Sequence, residues 1–246
     1  MSDAPLLEVR NLTKRFHGVQ AIDNVSFEVR RGEMLGLIGP NGAGKTTLIN
    51  LISGTMPPDT GHLLFEGTPI DHLPPYTRTH LGIGRTFQVT KPFPRLTVIE
   101  NVAVGALFGY GGGEHDLKAA REQARALVEF TGLAHRAEQQ ADQLGAPDRK
   151  RLELAKALAL RPKLLLLDEV MAGLNPSEID EVVAIVRKIR DAGTSILVIE
   201  HVMRAIRSLS DRIIVLHHGE MLAAGEPNAI LEDPRVVEAY LGKRRA

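Results

Sequence analysis

Apolar residues recur along this chain with two different periods, which predicts alternating strands and helices. Val25, Phe27 and Val29 alternate with polar residues, which is the pattern of a half-buried strand. A continuous apolar run over 164–167 is typical of a strand that is buried on both faces. Other strands are predicted at 6–9, 34–38, 62–65, 82–87, 195–199, 213–216 and 221–224. Strands alternating with helices in this way predict an α/β fold.

Apolar residues three and four positions apart predict the helices. One helix begins near Gly44 and ends by Gly54, a second covers 97–108, and two short helices lie near Ala229 and over 234–241. The stripe of a further helix consists of Leu117, Ala120, Ala124, Leu127 and Val128.

A strong helix start follows at Asn175, with Pro176 at the first helical position and Glu178 at the third. Residues 68–80 are rich in proline and turn residues, which predicts an irregular connection. We therefore expect one domain over 1–246. Its α/β core takes in about 1–88 and 160–246, and 89–159 form an inserted helical subdomain.

Composition narrows the class of protein. The 246 residues include 30 basic and 30 acidic side chains, and this balance gives no support to a nucleic-acid partner. Apolar residues make up 43%, but no apolar run approaches the roughly 20 residues needed to span a bilayer. The chain has no cysteine, which excludes disulfides and thiolate metal sites and is compatible with the cytosol.

The stretch Gly39-Pro-Asn-Gly-Ala-Gly-Lys45-Thr46 has the spacing of a phosphate-binding loop between a strand and a helix. Its glycines let successive N–H groups form a nest for phosphate oxygens, at the positive end of the helix dipole. Lys45 would reach the β- and γ-phosphates, and the Thr46 hydroxyl would bind Mg²⁺. The predicted nucleotide contacts are Gly39, Pro40, Asn41, Gly42, Ala43, Gly44, Lys45, Thr46 and Thr47.

Two acids and a histidine follow predicted strands. Asp168 and Glu169 end the apolar run; Asp168 would hold Mg²⁺ through water, and Glu169 would orient or deprotonate the attacking water. His201 follows the strand 195–199, at the end where open α/β sheets gather their site residues. Phe16 stands beside basic and glycine residues, where it is either a stacking face for a purine or a core or hairpin aromatic.

The order of these motifs resembles the ATP-binding subunit of ABC transporters. The likeness runs from about Leu6 to Leu241 and is carried by the phosphate loop, Gln88, Leu-Leu-Leu-Leu-Asp168-Glu169, Gly173-Leu174-Asn175 and His201. Four stretches resemble the branched-chain amino acid importers in particular. They are Arg151-Leu-Glu-Leu-Ala-Lys, Ala172-Gly-Leu-Asn-Pro, Val198-Ile-Glu-His-Val-Met and Val236-Val-Glu-Ala-Tyr-Leu-Gly.

This resemblance implies a P-loop NTPase core with an N-terminal antiparallel β subdomain and an inserted α-helical subdomain. It implies ATP and Mg²⁺ as cofactors, with Phe16 stacked on adenine, Gln88 touching Mg²⁺ and the membrane partner, and His201 contacting the γ-phosphate. It also implies a head-to-tail pair of ATPase subunits around two ATP. The pair would dock on two permease subunits at the cytoplasmic face of the inner membrane, with a solute-binding protein as an indirect partner.

One family motif is changed. The family has Leu-Ser-Gly-Gly-Gln where this chain has Leu144-Gly-Ala-Pro-Asp148. In the family, the Ser and the second Gly bind the γ-phosphate held by the partner, but Gly145 has no hydroxyl and Pro147 has no N–H. Asp148 adds a negative charge, although Pro147 suits the first helical position and Asp148 the first turn. The helix start is kept while the anion site is weakened, which predicts a different, related ATPase subunit as the partner.

Other interpretations stay open at this point. Arg149, Lys150 and Arg151 either replace the lost donors with positive charge or form a solvated face. The sequence favours an ATPase subunit that drives import of branched-chain amino acids or related small solutes. The alternatives are the ATPase of a lipopolysaccharide-type exporter and a nucleotide-dependent dimerisation module with weak turnover.

Overall fold

The structure is a computed structural model, and it describes residues 4–87 and 92–241. The strands of this part are β1 (Leu7–Phe16), β2 (Val19–Val29), β3 (Met34–Ile38), β4 (Thr60–Phe65), β5 (Thr68–Pro69), β6 (Ile83–Arg85), β7 (Leu164–Asp168), β8 (Ser195–Ile199), β9 (Arg212–His217) and β10 (Glu220–Gly225). The helices are α1 (Lys45–Ser53), α2 (Pro75–Leu81), α3 (Val98–Leu107), α4 (Leu117–Phe130), α5 (Ala146–Ala159), α6 (Pro176–Asp191), α7 (Met203–Leu209), α8 (Pro227–Glu232) and α9 (Pro234–Leu241). Gln88 lies outside the described residues, so its predicted contacts stay a prediction.

The chain forms two compact units, residues 1–75 with 195–246 and residues 76–194. The first unit contains an antiparallel sheet in the order β2-β1-β4-β5 and a row of strands in the order β10-β9-β3-β8. Strand β3 runs parallel to both β8 and β9, and all five of its residues are buried. A strand enclosed in this way brings the segment that follows it to one fixed edge of the sheet.

The β1–β2 hairpin is longer than predicted, because β1 continues through polar residues, among them Lys14 and Arg15, whose backbone pairs with β2. At its tip Phe16 pairs with Val19. His17 and Gly18 between them have φ angles of 43° and 88°, the left-handed geometry of a two-residue hairpin turn. The strands predicted at 213–216 and 221–224 lie in β9 and β10, which form an antiparallel hairpin, and its turn at His218 and Gly219 has the same geometry.

The second unit contains the parallel pair β6 and β7, in which Ile83 pairs with Leu164 and Arg85 with Leu166. Strand β6 ends at Arg85, two residues before the predicted end. The prediction of an irregular connection over 68–80 was wrong, because β5 and α2 lie there. Proline is compatible with the first turn of a helix, so Pro74 and Pro75, which suggested a loop, stand where α2 begins.

Helices α3, α4 and α5 share one apolar core. Val102, Ala106, Ala124, Val128 and Leu152 are among its buried members. The predicted stripe of α4 is buried at three of its five positions, and Leu117 at its first position is exposed.

The predicted start of α6 is confirmed by a capping box between Asn175 and Glu178. Helix α7 was not predicted, since its seven residues are too few to show a period. No helix within residues 4–87 and 92–241 is long and apolar enough to cross a membrane.

Asn101 in α3 organises the segment that leads into this core. Its side chain has no exposed surface. The Oδ1 atom accepts a hydrogen bond of 2.8 Å from the Phe93 N–H. The Nδ2 atom donates to the carbonyl oxygens of Phe93, Leu96 and Thr97 at 3.0–3.2 Å. A fully buried amide that satisfies its donors and acceptor on one segment fixes the conformation of that segment.

We expect Asn101→Ala to lower the free energy of unfolding by about 1–3 kcal/mol, because it removes these bonds and leaves the Phe93 N–H without this acceptor. Urea unfolding followed by circular dichroism measures the change. The control is Asn228→Ala, which removes one exposed bond from Arg207 and should change stability by less than about 0.5 kcal/mol. Equal effects of the two substitutions would contradict the assignment.

Candidate functional site

The phosphate-binding loop connects β3 to α1, in the strand–loop–helix setting that its sequence predicts. Gly44 is the N-cap of α1 and has a φ angle of 104°, and Gly54 closes the helix with a φ angle of 79°. The Leu48 N–H donates to the Gly44 carbonyl at 2.9 Å, which is the first helical bond. The loop therefore ends at the amino terminus of a helix, where backbone N–H groups and the dipole favour an anion.

Backbone atoms from distant parts of the first unit enclose this loop. A Cβ atom on Gly39 would overlap the Leu216 carbonyl oxygen of β9, and one on Gly44 would overlap the Ala21 carbonyl oxygen of β2. The Gly219 N–H of the β9–β10 turn donates to the Ala43 carbonyl at 3.1 Å. Glycine is required at both positions because neighbouring backbone occupies the space of a side chain.

Lys45 is almost fully buried, with 7% of its surface exposed. Its Nζ atom donates to the Gly39 carbonyl at 2.6 Å and to the Pro40 carbonyl at 3.0 Å. The Lys45 ammonium therefore reaches back from the start of α1 to the first two residues of the phosphate loop. Thr46, the next residue, is exposed at the second position of α1.

The loop has one side-chain contact that sequence reasoning missed. The Gly39 N–H donates to the Tyr240 hydroxyl of α9 at 2.7 Å. These residues are 201 positions apart, so no local pattern predicts the bond. Burial raises the pKa of Tyr240, and the hydrogen bond from Gly39 acts in the opposite direction. The hydroxyl therefore stays protonated at neutral pH.

His201 and Phe16 belong to the same unit as the loop. Because β3 and β8 are parallel neighbours with Leu37 opposite Ile199, His201 follows β8 at the sheet edge where the loop follows β3. Phe16 is 41% exposed at the tip of the β1–β2 hairpin, which excludes the core alternative. The Lys14 ammonium lies 5.8 Å from the centre of its ring.

Asp168 and Glu169 belong to the second unit, at the end of β7. Asp168 is 2% exposed, and its Oδ2 atom accepts a hydrogen bond of 3.0 Å from the Arg85 guanidinium. The Asp168 N–H donates to the Thr86 hydroxyl at 3.1 Å. Glu169 has a φ angle of 51°, a conformation that is uncommon outside glycine, and Lys150 donates to its carbonyl at 3.1 Å.

Two of the three positions predicted for Mg²⁺ lie among the described residues, and both, the Thr46 hydroxyl and the Asp168 carboxylate, offer oxygen atoms of the type that Mg²⁺ prefers. No group of three His, Cys, Asp or Glu side chains suited to a metal occurs among the described residues. The Thr46 hydroxyl and the Asp168 carboxylate are each a kind of ligand that binds Mg²⁺ together with phosphate oxygens and water.

The changed signature segment forms the start of α5. Gly145 is the N-cap, and Pro147 is at the second helical position, one later than predicted. Asp148 lies 3.7 Å from the Arg136 Nε atom and 4.0 Å from the Arg151 guanidinium, so its charge is partly offset within the chain.

The three basic residues that follow have partners in the same chain. Arg149 donates to the Asp142 carbonyl at 2.9 Å, Lys150 donates to Glu169, and Arg151 forms an ion pair with Glu181. These contacts favour a structural role for the basic residues over replacement of the lost phosphate donors.

Comparisons with known proteins agree with the motifs. The family model described as ABC transporter matches residues 22–172, and the model described as branched-chain amino acid ATP-binding cassette transporter matches residues 220–246. The chain is 37% identical over 251 residues to the high-affinity branched-chain amino acid transport ATP-binding protein BraF of Pseudomonas aeruginosa. That match covers 97% of this chain and 98% of BraF.

Solved structures match over most of the chain. The ADP conformation of MJ1267, an ATP-binding cassette of an ABC transporter, matches with a TM-score of 0.87 and 33% identity over 98% of this chain and all of that one. The dimeric post-hydrolysis state of the cassette MJ0796 bound to ADP and Pi matches with a TM-score of 0.81 and 26% identity, covering 90% of this chain and 98% of that one. The predicted P-loop NTPase fold is confirmed. This chain therefore belongs to the nucleotide-binding, ATP-hydrolysing subunits of ABC transporters.

Proposed function

We propose that this chain hydrolyses MgATP to drive the import of branched-chain amino acids or related small solutes through separate membrane permeases, as a peripheral subunit at the cytoplasmic face of the inner membrane. The assignment of the transported solute rests on the match of residues 220–246 to the branched-chain amino acid cassette model. BraF, which is related over nearly its whole length, is described by its name as serving transport of the same solutes.

The phosphate loop supplies the nucleotide contacts in this proposal, from Gly39 to Thr47. Its enclosed backbone and buried Lys45 support the assignment, since both form a compact set of N–H donors and positive charge for phosphate oxygens. Phe16 provides an exposed aromatic face for the adenine, and His201 contacts the γ-phosphate. Gln88 is assigned to Mg²⁺ and the membrane partner from the family likeness alone.

Asp168 and Glu169 have different roles in hydrolysis, the first in binding Mg²⁺ and the second in acting on the attacking water. Thr46 and Asp168 would hold Mg²⁺, which neutralises charge on the phosphate oxygens when it is bound. The Arg85 guanidinium fixes the Asp168 carboxylate. Glu169 acts as the base or orienting group for the attacking water, and its left-handed backbone is the kind of strain that clusters at active sites.

The partner in this proposal is a related but different ATPase subunit, because the signature segment lacks a Ser hydroxyl at Gly145 and a backbone donor at Pro147. The internal contacts of Arg149, Lys150 and Arg151 weaken the idea that these residues restore the anion site. The ion pairs of Asp148 reduce its repulsion of phosphate, so the missing donors are the main loss. A heterodimer would combine this chain's loop with a complete signature from the partner.

Two substitutions should separate nucleotide binding from hydrolysis. Lys45→Ala removes a positive charge from the loop and should weaken ATP binding about ten- to a hundredfold, the effect of about 1.5–3 kcal/mol. Glu169→Gln keeps binding but should lower turnover by about 10²-fold or more, because the carboxylate no longer acts on water. Isothermal titration measures binding to the purified chain. Turnover is measured in the complex purified through a tag on this chain.

Each variant is the control for the other, since both remove one charge from the predicted site. Unchanged ATP affinity in Lys45→Ala would mean that the loop is not the nucleotide site. Near-normal turnover in Glu169→Gln would rule out its role in hydrolysis.

Deletion of this chain from its source organism should abolish high-affinity uptake of leucine, isoleucine and valine, because the permeases would lose their ATPase. Uptake of the radiolabelled amino acids measures the effect. Wild-type protein should restore uptake, and the Lys45→Ala variant should not. Unchanged uptake accompanied by a defect in lipopolysaccharide export would favour the exporter alternative.

The purified wild-type chain should remain monomeric with a non-hydrolysable ATP analogue, because each site of a homodimer would face a damaged signature. Loss of one charge-assisted donor weakens such a contact by about 1.5–3 kcal/mol. The combined variant Gly145→Ser, Pro147→Gly and Asp148→Gln should dimerise at least about tenfold more tightly. Light scattering after gel filtration measures the state. A wild-type chain that dimerises as readily as the combined variant would contradict the heterodimer.

A further inference from the structure

We infer that Tyr240 of the C-terminal helix is a positioning residue of the nucleotide site. Its hydroxyl accepts a hydrogen bond of 2.7 Å from the Gly39 N–H, at the first residue of the phosphate loop. The inference rests on the proposed function, because it takes the loop to be where ATP binds. It adds that α9 helps to set the affinity of the loop for nucleotides.

Helix α9 holds this hydroxyl in place from a packed position. It lies against α8 and β10, and Val236 anchors it with only 3% of its surface exposed. Asp233 fixes the start of the helix, where its carboxylate accepts a bond of 2.8 Å from the Arg235 N–H and pairs with the Arg235 guanidinium at 2.7 Å. The Tyr240 side chain is half-buried and keeps its proton at neutral pH, so the contact is a neutral hydrogen bond.

Gly39 links Tyr240 to the lysine of the loop. Its N–H is held by Tyr240, and its carbonyl accepts the Lys45 ammonium at 2.6 Å. The Leu216 backbone fills the space on the side where a Cβ atom would project. Without the Tyr240 hydroxyl, the Gly39 N–H would lose its hydrogen-bond acceptor. The Gly39 carbonyl, which orients Lys45, would then be held less firmly.

The loop is held at both of its ends by groups from the last part of the chain. Tyr240 binds Gly39 at the start, and the Gly219 N–H binds the Ala43 carbonyl near the helix. The second contact is made by backbone, so a substitution cannot remove it selectively. Tyr240 is therefore a contact through which a side-chain substitution can change the loop without changing its sequence.

The expected effect is a loss of preorganisation. When a loop becomes ordered only on binding, the free-energy cost of ordering it reduces the net affinity for the ligand. We expect Tyr240→Phe to weaken binding of both ATP and ADP about two- to tenfold, the range for one neutral hydrogen bond. Both nucleotides should be affected alike, because the restraint acts on the loop itself rather than on the γ-phosphate.

The experiment compares Tyr240→Phe with Tyr76→Phe in the full chain. Phenylalanine keeps the ring and removes only the hydroxyl, and Tyr76 is 68% exposed on α2, in the other unit. Equilibrium titrations with MgATP and MgADP give the dissociation constants. Spectra of the glycine-labelled protein report the Gly39 amide directly, which should shift and exchange faster with solvent in Tyr240→Phe alone.

The result that supports the inference is weaker binding of both nucleotides together with a changed Gly39 amide, in Tyr240→Phe but not in Tyr76→Phe. Unchanged affinity, or an unmoved Gly39 amide, would overturn it. The inference would also be overturned if Tyr76→Phe weakened nucleotide binding as much as Tyr240→Phe does. A wild-type chain that binds neither nucleotide would overturn the proposed function itself, and this inference with it.

Discussion

Close approach of backbone to backbone around the phosphate loop is the constraint on which the nucleotide site depends. The Leu216 and Ala21 carbonyls lie where Cβ atoms of Gly39 and Gly44 would be. The backbone of β9 therefore packs closely against the first residue of the loop, and the backbone of β2 packs closely against its last glycine. The glycines are therefore needed for packing as well as for their accessible φ angles, and the loop is fixed by strands that are distant from it in sequence.

A second constraint is the placement of charge in the unit that contains β7. Asp168 is buried against Arg85, and the basic residues at the start of α5 are bound to groups of their own chain. Buried or half-buried charges persist only when they are paired. These pairs accompany a regular helix start at Gly145, the N-cap of α5, although the segment departs from the family motif.

Much of this fold follows from local patterns. The β3–loop–α1 unit, the capping box at Asn175 and the apolar strand before Asp168 are where the sequence predicts them, because each depends on residues within a few positions of one another. The errors occur where local signals are ambiguous. Proline suggested a loop where it begins α2, and the polar half of β1 did not look like a strand although its backbone pairing with β2 continues, with register shifts, as far as Phe16.

The sequence by itself determined the phosphate loop, the position of the two acids at the end of β7 and the family, since these are encoded in short runs with fixed spacing. Tertiary structure alone decided that Phe16 is exposed, that Arg85 holds Asp168, and which groups surround the loop. The bond between Tyr240 and Gly39 is the clearest case. It joins residues near opposite ends of the chain, and such contacts arise only when parallel strands and the final helix have packed, so no periodicity or spacing can encode them.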